Sequence, residues 1–278
     1  MIETSETVIE AVAVARGDGG TLFDTARRAV APFAGRAFGG VLAATFSNPD
    51  RFPALAVRLA AELKLPVATP AFDLQLACSA YPYALYLAGK LAADTGREIL
   101  VVDGDVQTPL VDASDHATGA IFSDAVTATV VAAGSGRSSR FDFLSRYDPA
   151  LSCASGGPIR MDGFKVFTFV ATEVSAFLRG FLASVRGGAA PSGPTLFAPH
   201  QANPYMVRQL ARSLGLERGL LTIPDAEKNP GSCSVAMALA ANAERVRGAE
   251  VLVAGFGAGY SAAAGIVRPA ATFTGVET

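Results

Sequence analysis

The feature that most constrains the fold is a pattern that occurs twice. Cys78-Ser79-Ala80 opens a stretch in which apolar residues recur at helical spacing through Leu91. A break at Gly96-Arg97 follows, and then the largely apolar run Glu98-Ile99-Leu100-Val101-Val102. Cys233-Ser234-Val235 opens a second helical pattern that ends at Arg247-Gly248, and Glu250-Val251-Leu252-Val253-Ala254 comes next. A near-continuous apolar run bounded by turn formers is the signature of a strand buried on both faces. Two copies of helix-then-buried-strand imply a duplicated α/β unit. We expect an N-terminal half over residues 1–150 and a C-terminal half over 151–278. With 278 residues, 50% of them hydrophobic, the chain can bury a large core.

The rest of the chain fills in around these units. Val8 to Val14 and Val41 to Thr45 read as strands, and Thr21 to Val30 and Pro53 to Leu63 as helices. Between them, Phe46 to Pro53 is a loop rich in turn formers. Ala125 to Ala133 and Arg140 to Leu144 read as two strands joined by Gly134-Ser135-Gly136, and the polar segment Asp148 to Gly163 as a connection. Phe164 to Val185 is a long helix. Glu173 and Arg179 interrupt its apolar character, which makes it a helix with one buried face rather than a membrane span. Tyr205 to Leu214 is a shorter helix.

Cys78 stands where the extended run Phe72-Asp73-Leu74-Gln75-Leu76 gives way to a helix. Unpaired N–H groups and the helix dipole there favour thiolate, which should lower a pKa of about 8.5 toward neutrality. Pro199-His200-Gln201-Ala202-Asn203 follows another apolar run, and Lys228-Asn229-Pro230-Gly231 precedes the second helical pattern. Histidine can shuttle a proton or donate to a developing oxyanion, and the asparagine amide supplies a second donor. His116 reads as a polar loop residue, Cys153 as a loop thiol and Cys233 as a helix-packing residue. The run Gly255 to Gly259 is no phosphate-binding fingerprint, because a strand follows it where a helix is required. A net charge of −2 gives no basic field for nucleic acid or anionic membranes. Three cysteines without metal-ligand spacing point to a reducing, cytoplasmic compartment, and acids in the first six residues stand where a secretory signal carries bases.

From about Gly20 to Val267 the chain resembles the β-ketoacyl-acyl carrier protein synthase III family of the thiolase superfamily. The pieces that carry the resemblance are Phe72-Asp73-Leu74 through Cys78-Ser79, Ile121-Phe122-Ser123-Asp124-Ala125, Gly163-Phe164-Lys165-Val166-Phe167, His200-Gln201-Ala202-Asn203, Asn229 with Ser234, and Gly255-Phe256-Gly257-Ala258-Gly259. The resemblance implies a five-layered α/β/α/β/α thiolase-like fold with pseudo-twofold halves. It makes Cys78 the acyl-accepting nucleophile, His200 and Asn229 the pair that supports decarboxylation, and the N–H groups of Cys78 and Ala258 an oxyanion hole. Phe256 would wall the cysteine pocket and Asn203 would contact a pantetheine arm. Phe52 would cross a dimer interface to line the acyl pocket. It further implies substrates carried as coenzyme A or acyl carrier protein thioesters, no cofactor, and a homodimer or a heterodimer with a related ketosynthase.

Departures from the family are also legible. The family's opening strand and its Trp- and Arg-containing adenine-binding segment have no counterpart, and the chain has no tryptophan. Pro204-Tyr205 stand where the family often has arginine, Ala80 replaces a frequent glycine and Ala262 a frequent aromatic residue. These changes suggest an N-terminally shortened member serving specialised fatty-acid or polyketide-type biosynthesis. The leading expectation is a decarboxylative Claisen condensation. The alternatives are acyl transfer from Cys78 to an oxygen or nitrogen nucleophile, and a structural subunit of a heteromeric ketosynthase.

Overall fold

The computed structural model describes residues 1–112, 114–186, 194–224 and 228–278. Strand β1 (Ile2–Arg16) is followed by α1 (Leu22–Val30), β2 (Gly40–Ala44), α2 (Leu55–Glu62), β3 (Ala71–Leu74), α3 (Ala80–Thr95) and β4 (Ile99–Asp105). The short helix α4 (His116–Gly119) leads into β5 (Ala125–Asp148) and a small hairpin of β6 (Leu151–Cys153) and β7 (Ile159–Met161). Helix α5 (Gly163–Phe169) continues through a π-helical segment, Val170–Val174, into α6 (Ser175–Arg186). The chain ends with β8 (Leu196–Pro199), α7 (Pro204–Leu214), α8 (Ser234–Ala241), α9 (Ala243–Val246), β9 (Val251–Gly257) and β10 (Gly259–Glu277).

All the strands but β6 and β7 form one mixed sheet of eight, in the order β3-β2-β4-β5-β1-β10-β9-β8. Period-2 alternation sends neighbouring apolar residues to opposite faces, and both faces are covered. On β4, Leu100 and Val102 pack with α1 and α2, while Ile99 and Val101 pack with α3 and α8. On β9, Val251 and Val253 meet α3 and α8, while Leu252, Ala254 and Phe256 meet α5, α6 and α7. Helices α3 and α8 therefore lie between two portions of the sheet, and the layers run α/β/α/β/α as expected. The central layer needs small residues. A Cβ on Gly89 of α3 would lie 2.3 Å from Thr7 Oγ1 on β1.

Several local expectations change. Gly134-Ser135-Gly136 is no hairpin turn: β5 is continuous through it and pairs with β1 on both sides, Glu6 with Gly134 and Thr4 with Ser139. The glycines make room for the Glu6 carboxylate, which accepts from Gly136 N at 2.8 Å. A Cβ on Gly134 would lie 2.2 Å from Glu6 Oε2. Beyond that bulge β5 pairs with β10, so one strand runs from the portion of sheet under α1 and α2 into the portion under α5 to α7. The segment from Asp148 to Gly163 holds the β6–β7 hairpin rather than a plain connection. The second helix breaks at Asn242, whose Nδ2 donates to Ala238 O at 2.8 Å and Thr222 O at 3.0 Å. His116 lies on α4 rather than in a loop. The helix from Gly163 to Val185 has the length and hydropathy of a span, yet Val166, Phe169, Val170, Val174, Leu178, Phe181 and Leu182 are buried as one stripe against the sheet and α7.

Candidate active site

Cys78 owes its position to a sharp bend. After β3 the backbone turns at Ala77, which has φ +44°, and Ala77–Ser79 forms a 3₁₀ turn before α3 begins. A left-handed alanine costs about 1–2 kcal/mol, and the surroundings hold it there. Ser79 Oγ lies 2.9 Å from Leu76 O. It also lies 2.6 Å from Ser261 Oγ, which is 3.0 Å from Ala258 O, and the two hydroxyl protons are shared among these three contacts. This chain of bonds ties the cysteine turn to the glycine-rich turn between β9 and β10. The close approach depends on glycine: a Cβ on Gly255 would lie 2.8 Å from Cys78 O, and one on Gly257 2.8 Å from Cys78 Cβ.

The sulfur does not have the depressed pKa expected of a helix N-terminus. Burial, followed by the negative charge of Asp105 and then of Asp103, pushes the Cys78 thiol up to about 12. The backbone N–H groups of Cys78 and Ala258 oppose that rise. They are the two donors named from the sequence for the oxyanion hole. Cys78 and Ala258 both line a cavity of about 580 Å³ with Phe46, Leu76, Gln107, Phe122, Leu151, Cys153 and Ile159. The cavity opens at Tyr147, which is 87% exposed, and ends among buried Gln107 and Phe122.

His200 and Asn229 are joined to each other through Gly231 and to the cavity through Gln107. His200 follows β8 and its N–H donates to Ala254 O at 2.7 Å. Its ring packs edge-on against Phe256, with centroids 5.6 Å apart. Nδ1 lies 3.1 Å from Gly231 O and 2.9 Å from Ser234 Oγ. A carbonyl only accepts, so Nδ1 carries the proton and Nε2 keeps its lone pair. Burial lowers the His200 pKa to about 4, which leaves the ring neutral at pH 7. Asn229 Oδ1 accepts from Gly231 N at 2.8 Å, fixing the amide so that its NH₂ is the group available to a ligand. Asn229 O accepts from Gln107 Nε2 at 3.0 Å and from Ser123 N at 3.0 Å. Gly231 joins His200 to Asn229, and Asn229 O joins both to Gln107, which lines the cavity together with Cys78.

The other candidates are placed differently. Phe256 is buried beside His200. Asn203 caps α7, its Oδ1 accepting from Met206 N at 2.8 Å. Phe52 is 86% exposed, and Phe46 of the same loop lines the cavity. Cys153 is exposed on β6 at the cavity wall, and Cys233 is buried at the start of α8 with Sγ 3.1 Å from Pro230 O. Sequence reasoning missed the acids beneath the site. Asp103 accepts from Ser232 Oγ at 2.5 Å, and Asp105 accepts from Thr45 Oγ1, Phe46 N and Ser47 N at 2.7 to 3.0 Å. Both are buried, and burial raises both carboxyl pKa values. It also missed Gln107. The available signal was Asp103-Gly104-Asp105 continuing an apolar run into the end of β4.

Comparison with known proteins matches this geometry. Sequence models of the N-terminal and C-terminal parts of 3-oxoacyl-[acyl-carrier-protein] synthase III match residues 72–147 and 186–269. The β-ketoacyl-[acyl-carrier-protein] synthase III of Rhodospirillum centenum is 31% identical over 250 residues, covering 82% of this chain and 76% of that protein. A 3-oxoacyl-(acyl-carrier protein) synthase from Burkholderia xenovorans has the same fold, with TM-score 0.87 at 22% identity over 100% of this chain and 98% of that one. The synthase III structure from Pseudomonas aeruginosa gives TM-score 0.84 at 25% identity, covering 95% of this chain and 98% of that one. A buried cysteine at the start of the central helix layer, inside a cavity and within the matched sequence, agrees with these relatives. The chain belongs to the 3-oxoacyl-[acyl-carrier-protein] synthase III family, decarboxylative condensing enzymes of thiolase-like fold.

Proposed function

We propose that Cys78 accepts an acyl group from a thioester and that His200 and Asn229 support its condensation with a malonyl-type thioester. The observation that carries this reading is that Cys78 and Ala258, whose backbone N–H groups oppose the rise in the thiol pKa, line one cavity. A thiol with a pKa near 12 needs a base, and neutral His200 has a free lone pair on Nε2. The proton passes from Cys78 to His200, the sulfur attacks the thioester carbonyl, and His200 returns that proton to the departing carrier thiolate. The carbonyl oxygen of acyl-Cys78 then occupies the place between the two N–H groups. A malonyl-type donor loses carbon dioxide, Nε2 of His200 takes up one proton from water, and the enolate oxygen is held by that N–H and the Asn229 NH₂. The enolate carbon attacks acyl-Cys78, forming the carbon–carbon bond and returning the cysteine thiol with that one proton.

The same acyl-Cys78 and the unprotonated Nε2 of His200 would also serve transfer to an alcohol or amine, which is the second reading. It is an acyltransferase in either case, with coenzyme A or acyl carrier protein as donor and no cofactor required by the chemistry. Specialised fatty-acid or polyketide-type biosynthesis and a cytoplasmic setting complete the proposal. We also propose a dimer, as a homodimer or with a related ketosynthase. Strand β3 is at the edge of the sheet, and Phe72 on it and the nearby Val67 and Phe52 are exposed. Uncovered strand edges with apolar side chains call for a partner. Intact-mass analysis after incubation with a panel of acyl thioesters, with and without malonyl carrier protein, tests the function. A mass increase on Cys78 that malonyl carrier protein discharges supports it, and an unmodified protein throughout refutes it.

A further inference from the structure

Gln107 is a polar side chain at the buried end of a mostly apolar cavity. It is 1% exposed and lines the cavity beside Phe46, Leu76, Phe122 and Ile159. Its Nε2 donates to Ser123 O at 2.7 Å and to Asn229 O at 3.0 Å. Two carbonyl acceptors fix the amide, because the flipped form would place an oxygen against both of them. Oε1 is thereby fixed as an acceptor. It receives no hydrogen bond from the described residues, and it is absent from the buried side-chain atoms sealed away without a partner.

We infer that Gln107 Oε1 selects an acyl group bearing a hydrogen-bond donor, a hydroxyl in the simplest case. This inference rests on the reading of Cys78 as the acylated nucleophile. The carrier arm of a thioester must reach solvent, so it leaves through the open end at Tyr147. The acyl chain on Cys78 then points the other way, toward Gln107 and Phe122. An unsubstituted chain placed there strips Oε1 of any water and leaves it unpaired. A hydroxyl at the right carbon satisfies it. Sites built to bond a substrate hydroxyl discriminate strongly against the analogue that lacks it.

The test measures the rate of acyl-Cys78 formation, as kcat/KM by intact mass. It uses pairs of acyl thioesters of equal length that differ by one hydroxyl, moved along the chain in turn. Loading is read rather than condensation because Gln107 also holds the backbone of Asn229. At one hydroxyl position the wild type should load the substituted chain about tenfold to a hundredfold faster, the range expected for leaving one buried acceptor unpaired. Gln107→Leu should abolish or reverse that preference. Loading without preference at every hydroxyl position overturns the inference and leaves Cys78 as the nucleophile. A preference that persists in Gln107→Leu overturns it equally. No loading from any thioester overturns the reading of Cys78, and the inference falls with it.

Discussion

The buried, neutral state of His200 has a consequence for stability that can be worked out from its surroundings. The ring is 2% exposed, and burial lowers its pKa from 6.5 to about 4. The unfolded chain therefore binds a proton between those values that the folded protein refuses. The stability contributed by the neutral ring is fully present above pH 6.5 and is lost as pH falls toward 4. At about 1.36 kcal/mol per pKa unit the whole fall amounts to about 3 kcal/mol. The perturbation is His200→Gln, which removes the titrating ring. The assay is urea unfolding of both proteins from pH 7.5 to 4. The carboxylates titrate in both proteins and cancel in the difference. Wild type should lose about 3 kcal/mol relative to the variant over this range, with the difference flat above pH 7. In the same range acyl loading by wild type should persist well below pH 6.5, with its acid limb near 4. Parallel stability curves, or a loading limb near 6.5, would refute the assignment of a buried neutral imidazole.

Other expectations concern the supports of the site. Gly255→Ala places a Cβ 2.8 Å from Cys78 O and 2.9 Å from Ser79 Cα, backbone atoms that cannot step aside. Displacing Cys78 from one oxyanion donor should cut the loading rate about a hundredfold to a thousandfold, read by intact mass, with the protein still folded by circular dichroism. Asp73 accepts from Leu55 N at 2.8 Å and Ala56 N at 2.9 Å, capping α2 from a neighbouring strand. Asp73→Ala should lower stability by about 1–2 kcal/mol in urea. In sedimentation at micromolar concentration the wild type should run as a dimer and Phe52→Glu should weaken it. A wild-type monomer would remove the dimer from the account.

Much of this was legible because the buried layers write themselves into the sequence as uninterrupted apolar runs. Ile99 to Val102 and Val251 to Ala254 are buried on both faces, so each position must be apolar and the strands are unmistakable. The turn at Cys78 was visible as a change of period. Three features were not visible. Strands as short as β6 and β7, at three residues each, carry too few positions to show alternation. Gly134 and Gly136 read as a turn, but the glycines answer a carboxylate on the neighbouring strand, a contact more than a hundred residues away in sequence. Asp103 and Asp105 follow the apolar run, where the sequence carries no sign that they are buried. They are buried because Ser232 and the Thr45–Ser47 loop cover that end, and their charges help reverse the expected direction of the Cys78 pKa.

The most direct test of the central claim follows labelled carbon dioxide from a carboxyl-labelled malonyl thioester while the mass of Cys78 is read in the same sample. Wild type, Cys78→Ala, His200→Ala and Asn229→Ala are compared. Wild type should acylate at Cys78 and release label in step with condensation product. Cys78→Ala should neither load nor condense. His200→Ala and Asn229→Ala should load at least partly and release label about a hundredfold to a thousandfold more slowly. Condensation at the wild-type rate in Cys78→Ala, or discharge of acyl-Cys78 to an alcohol or amine without any labelled carbon dioxide, would contradict the account.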